Sequence, residues 1–101
     1  MDERDIRLMD EAERQGLYAM RTHETELVER FPQRVLKLYV DDTEHDHQYP
    51  GSNRKEYKAF VRRLRHIKAI PGGEVEVARI IAKMRAKYPR RPALMDELSR
   101  V

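Results

Sequence analysis

Apolar residues in the first twenty positions fall at Ile6, Met9, Ala12, Leu17 and Met20, a helical rather than an alternating spacing. The pattern predicts a first helix, with Asp2, Glu3 and Asp5 in its opening turn, where negative side chains suit the positive end of the helix dipole. Gly16 lies inside this pattern and weakens it by about 1 kcal/mol relative to Ala, so the helix has to rely on packing. Thr22 is the expected N-cap of a second segment, in which Leu27, Val28 and Phe31 share a face until Pro32 interrupts. Proline fits the first turn of a new helix, so a break near Phe31 is expected, with Val35, Leu38 and Tyr39 turned inward beyond it. The apolar spacing runs through the proline, and a single kinked helix is the alternative. From Asp41 to Ser52 the chain is polar and contains Pro50-Gly51, which reads as the main loop.

Asn53 followed by Glu56 has capping-box spacing and opens the best-defined helix. With Lys55 at zero and 100° per residue, Tyr57, Phe60, Val61, Leu64 and Ile67 fall between about 120° and 240°. Lys55, Lys58, Arg62 and Arg65 fall between about 280° and 360°, so an apolar face and a basic face separate, with Lys68 on the apolar side. Pro71-Gly72-Gly73 ends that helix. The next starts with Glu74 and Glu76, ends with Lys83, Arg85 and Lys87, and turns Val77, Ile81, Met84 and Tyr88 inward, supported by Ala78 and Ile80. A last helix starts near Pro92 and brings Leu94, Met95 and Leu98 to the core. No β-branched or aromatic run alternates at period two. Five or six short amphipathic helices in an all-α fold follow, as antiparallel hairpins stacked in an α-solenoid-like array or as a small helical bundle.

The chain has 101 residues, which sets the expectation of a single helical domain over residues 1–101 that buries about 65% of its unfolded surface. No run approaches the roughly 20 apolar residues of a membrane helix, and the acidic N-terminus opposes a signal peptide, so a cytoplasmic protein with no membrane partner is expected. The absence of cysteine excludes disulfides, thiolate-bound zinc and a cysteine nucleophile from this sequence. A net charge of +3 hides a division. Residues 1–47 carry 7 basic and 13 acidic side chains, a balance of −6, whereas residues 48–101 carry 14 and 5, a balance of +9. Such asymmetry marks either a basic surface for an anionic partner or two halves that face each other electrostatically.

The Tyr88-Pro89-Arg90-Arg91-Pro92-Ala93-Leu94-Met95-Asp96-Glu97-Leu98 stretch carries a family resemblance. With Glu29-Arg30-Phe31-Pro32, Val35 to Tyr39, Asn53 to Tyr57 and Leu64 to Lys68 in the same order upstream, the chain from Thr22 to Val101 resembles the C-terminal helical region of bacterial SWIM zinc-finger proteins. The resemblance implies tetratricopeptide-like helical hairpins that follow a zinc-binding module. That module uses cysteines and a histidine, so no zinc ligand carries over to this sequence, and the chain reads as a fragment or a separate version of the helical part.

Candidate chemistry adds little to this. His23-Glu24 matches half of a zinc-protease motif, but Leu27 stands where the second histidine belongs, leaving Glu24 as first-turn helix charge. The Asp41-Asp42-Thr43-Glu44-His45-Asp46-His47 cluster has many ligand atoms; His45 and His47 would point about 200° apart on a helix, whereas Asp41 and His45 would share a face. Neither pair completes a ligand set, and the cluster reads as a solvated loop with titrating histidines. His66 falls on the basic face and is expected to be exposed. Ser52 and Ser99 have no base at a recognisable spacing, and Glu74 after Gly72-Gly73 would repel an anion at that helix start, so neither an enzyme nor a cofactor or metal site is expected. Lys55, Lys58, Arg62 and Arg65 span roughly 15 Å, enough for several phosphates, with Arg63, Arg90 and Arg91 as extensions. Two readings result: a non-catalytic helical module for protein interaction or self-association, and a nucleic-acid-associated module that uses this basic face. On the first, the basic surface is solvated or faces the acids from Asp41 to Asp46, in the same chain or in a neighbour.

Overall fold

The computed structural model describes residues 3–46 and 50–101; Asp2 of the expected first turn and His47 of the acidic cluster lie outside them. Seven helices and no strand occur among the described residues: α1 (Glu3–Gln15), α2 (Leu17–Thr22), α3 (Glu24–Arg30), α4 (Pro32–Glu44), α5 (Arg54–Lys68), α6 (Gly73–Lys87) and α7 (Pro92–Leu98). The all-α expectation holds. The molecule is elongated, 49 × 22 × 18 Å, because packing runs mainly between neighbours in sequence. Helix α1 lies on α2 and α3, α2 and α3 lie on α4, α4 meets α5, and α5 carries both α6 and α7. This helical-hairpin arrangement is built around one apolar cluster that includes Met9, Met20, Leu27, Val35, Leu64, Ile80, Met84 and Leu94.

The breaks have local causes. The expected first helix divides at Gly16, whose φ of 93° and ψ of −159° lie outside helical space and favour a residue without Cβ. Thr22 is the last residue of α2 and not a cap: its hydroxyl donates back to the Tyr18 carbonyl at 3.0 Å, and His23 precedes α3 with no side-chain capping bond. At Phe31 the backbone leaves helical space with φ −133° and ψ 54°, and Pro32 opens α4. The alternative of one kinked helix is thereby replaced by two. Helix α4 then runs to Glu44, so the first third of the expected loop is helical.

Asn53 caps α5 as expected, its side-chain oxygen accepting from the Glu56 amide at 2.9 Å. The reciprocal bond differs from the standard box, since Glu56 Oε1 accepts from the Asn53 side-chain amide at 2.8 Å. Between α5 and α6 the turn is tight: Gly72 has φ 84°, and a Cβ on buried Gly73 would sit 1.8 Å from the Ile67 carbonyl oxygen. The chain folds back by running backbone against backbone.

Core positions follow the helical spacing in the main, although Leu17, Val28, Phe31, Leu38, Ile81, Tyr88 and Met95 are only partly buried against the core. Ile6 is 39% exposed, and Ala78 is exposed while its neighbour Ile80 is fully buried. On α4 the inward face is Val35, Leu36, Tyr39, Val40 and Thr43, which leaves Leu38 half-buried at its edge. Thr43 is accommodated there because its hydroxyl donates to the Tyr39 carbonyl at 2.8 Å.

Candidate functional site

The acidic end of α4 is the place where the charge division acts. Asp41, Asp42 and Glu44 crowd the last turn of a helix that has no basic residue there, an order the helix dipole disfavours. Guanidinium groups from the second half of the chain supply the missing positive charge. Arg63 of α5 binds Asp42 and also Asp46, the latter at 2.9 Å, and Arg79 of α6 binds Glu44 while its other contact is Glu76 at 2.9 Å. The expected solvated loop is therefore corrected: three of its acids belong to a seam of ion pairs within the chain. His45 is also engaged, with Nδ1 2.7 Å from the Asp41 carbonyl oxygen. Among the described residues no group of three or more His, Asp or Glu is placed to hold a metal ion.

A second node lies beside this seam. Tyr39 donates its hydroxyl to Glu24 Oε1 at 2.5 Å, and His66 Nε2 stands 2.5 Å from the same oxygen. An ionised carboxylate only accepts, so Nε2 carries a hydrogen in this arrangement. The His66 ring meets the Tyr39 ring edge-on, at 5.4 Å between centroids and 89° between planes. Burial pushes the Glu24 carboxyl up, but the bonds from Tyr39 and His66 and the charges of His66 and Arg21 outweigh it and hold the group below its ordinary range. Burial, followed by the bond to Glu24 and the charge of its carboxylate, pushes the Tyr39 phenol well above its ordinary value. His66 is thus no free member of the basic face, and Glu24 is more than helix-end charge. The node joins α3, α4 and α5, and its sequence separations of 15 and 42 residues left no local signal to read. With the seam it borders an open cleft of about 750 Å³, where Arg21 and Arg62 face the Glu24, Asp42 and Asp46 carboxylates.

Lys55, Lys58, Arg62 and Arg65 are all exposed on the outer face of α5, where the helical spacing puts them. They divide into two kinds. Lys55, Lys58 and Arg62 make no hydrogen bond or ion pair with another described residue. Arg65 donates from Nη2 and Nε to the Arg100 carbonyl at 2.6 and 3.2 Å, just beyond the end of α7, where a cation suits the free carbonyls. Lys68, displaced toward the apolar side, reaches the Val101 carbonyl at 3.5 Å. Of the expected extensions, Arg63 belongs to the seam, whereas Arg90 and Arg91 lie at the start of α7. Ser52 donates to Glu56 at 3.2 Å and Ser99 to the Asp96 carbonyl at 2.6 Å.

Two further ties hold the ends. Arg30 of α3 reaches buried Asp5 of α1 at 3.1 Å, and Arg54 of α5 reaches Asp96 and buried Glu97 of α7, both at 2.9 Å. Among the described residues no helix is long and apolar enough to cross a membrane. Comparison of the chain with family models, with curated proteins and with solved structures finds no match.

Proposed function

We propose that the chain is a non-catalytic helical module that binds another protein or a second copy of itself. The observation that carries this reading is Tyr18, which is 87% exposed on α2 and stands three residues, close to one helical turn, from exposed Arg21. Tyrosine and arginine dominate the residues on which protein interfaces depend, because each covers a large area and still offers hydrogen bonds. Val75, 73% exposed on α6, is a second exposed large apolar side chain, and Ile6 on α1, 39% exposed, is a third. A neighbour-to-neighbour stack of helices also leaves long side faces open to a partner. The ordered likeness of Thr22 to Val101 to the helical region of bacterial SWIM zinc-finger proteins supports the same reading, with the zinc module's own chemistry left out.

Sedimentation velocity over a wide concentration range, with Tyr18→Ser beside the unaltered chain, tests this. Reversible association that the substitution weakens roughly tenfold or more is expected for a central aromatic contact. Equal association in both proteins would remove Tyr18 from the interface.

One observation favours a second reading, nucleic-acid association: Lys55, Lys58 and Arg62 have no partner among the described residues, while Arg54, Arg63 and Arg79 are all matched by carboxylates. Duplex binding that falls steeply with salt and disappears in Lys58→Glu/Arg62→Glu would support it. Unchanged binding in that double variant would exclude the basic face.

A further inference from the structure

Tyr57 is 5% exposed, and its hydroxyl makes no hydrogen bond with another described residue. A buried hydroxyl without a partner is costly, and such a group in a native fold points to water or a ligand. Tyr57 lines a cleft of about 430 Å³ between the N-terminal end of α5 and the start of α7. Three guanidinium groups, those of Arg54, Arg90 and Arg91, line the same cleft, and no carboxylate does.

The three arginines are not equivalent. The charge of Arg54 is matched by Asp96 and Glu97. Arg91 donates Nη1 to the Gly51 carbonyl at 3.1 Å and lies 4.2 Å above the Tyr88 ring, contacts that fix its position without neutralising it. Arg90 is exposed and makes no hydrogen bond or ion pair with another described residue. Ser52 and Asn53, also in the wall, both donate to Glu56, whose carboxylate is occupied in that way. What the cleft has left to offer is one oriented cation, one exposed cation and a phenol without a hydrogen-bond partner among the described residues.

We propose that this cleft binds a phosphate group, free or as a monoester. Two uncompensated positive charges match a group that carries nearly two negative charges at neutral pH, and guanidinium planes suit its oxygens. The site depends neither on the Tyr18 interface nor on the outer basic face of α5.

The test is titration of the isotope-labelled full chain with inorganic phosphate and with phosphoserine, followed by amide chemical shifts, with chloride and acetate at matched ionic strength. Saturable shifts confined to residues 51–57 and 90–93 are expected for both phosphates. Tyr57→Phe keeps the buried ring and should weaken binding roughly tenfold through loss of one hydrogen bond to a charged group. Arg91→Gln should weaken it at least as much, while Lys58→Glu/Arg62→Glu should leave it within about twofold, since those charges are off the site. Tighter binding of phosphoserine would identify an ester as the ligand, and equal binding the free ion. Chloride shifts equal to those of phosphate, or unaltered affinity in Tyr57→Phe, would mean an adventitious ion only and would overturn the proposal; Tyr57→Phe decides if Arg91→Gln fails to fold.

Discussion

The seam at the end of α4 and the outer face of α5 are both rows of charge on helices of similar length, yet they end in opposite states. At the seam, Asp42, Glu44 and Asp46 meet Arg63 and Arg79, and the unfavourable placement of acids at a helix C-terminus is corrected from outside the helix. On α5, Lys55, Lys58 and Arg62 have no partner among the described residues although the acidic half of the chain lies one helix away. Their separation from Arg63 is rotational. Position 63 falls on the side of α5 that meets α4; 55 and 58 lie off that side, and Arg62 borders the cleft beside the seam without an ion pair to another described residue. A charge imbalance in sequence is thus consumed only where the packing turns it inward, and what is left on the outer face is available to a partner.

The largest effect is expected where the seam depends on backbone geometry. Gly73→Ala would drive a Cβ into the Ile67 carbonyl and open the turn that returns α6, and with it Arg79, toward α4. A loss of about 3 kcal/mol in urea unfolding is expected, at the upper end for overpacking because backbone and not side chain has to yield. Arg63→Met keeps much of the aliphatic stem and removes the charge between Asp42 and Asp46. Here a loss of about 1 kcal/mol is expected, and it should shrink in high salt, as an ion pair with partly exposed members does.

The Glu24 node gives a smaller effect with a definite pH dependence. Because the Glu24 carboxyl is held below its ordinary 4.5, its contribution is present above that value and is lost as pH falls through the lowered folded value. Tyr39 behaves in the opposite sense. Its phenol is pushed above the ordinary 10.0, so its contribution is present below pH 10.0 and is lost as pH rises beyond it. Unfolding free energies measured across both ranges should show a flatter acid limb in Glu24→Gln and a flatter alkaline limb in Tyr39→Phe. Smallest of all should be the stability change in Lys58→Glu/Arg62→Glu, within about 0.5 kcal/mol, since exposed side chains without partners contribute little to folding. A larger loss would show that the outer face of α5 is tied into the fold and would erase its contrast with the seam.

Much of this architecture was legible beforehand, and the reasons are local. Asn53 and Glu56 announced the start of α5, Pro32 and Pro92 opened helices, and Pro71-Gly72-Gly73 closed one, because caps and breakers act within a few residues. The basic face of α5 was legible for the same reason, being a matter of 100° per residue. Thr22 misled: its hydroxyl had a competing local use, donation to Tyr18, and the real boundary was set by His23 with no side-chain cap. The acidic stretch misled in another way, since Asp41 to Asp46 looks solvated until Arg63 and Arg79 are brought to it from 17 to 35 residues away.

By itself the sequence determined the all-α class, the breaks at Pro32, Pro71-Gly72-Gly73 and Pro92 and most of the faces the helices bury, because periodicity, proline, glycine and capping side chains impose those features over short range. Only the tertiary structure decided which charges cancel, that His66 and Tyr39 share Glu24, and that Tyr57 lines a cleft with Arg90 and Arg91. Those outcomes depend on which helix faces meet, and that is fixed by packing of the apolar core as a whole, not by spacing along any one segment.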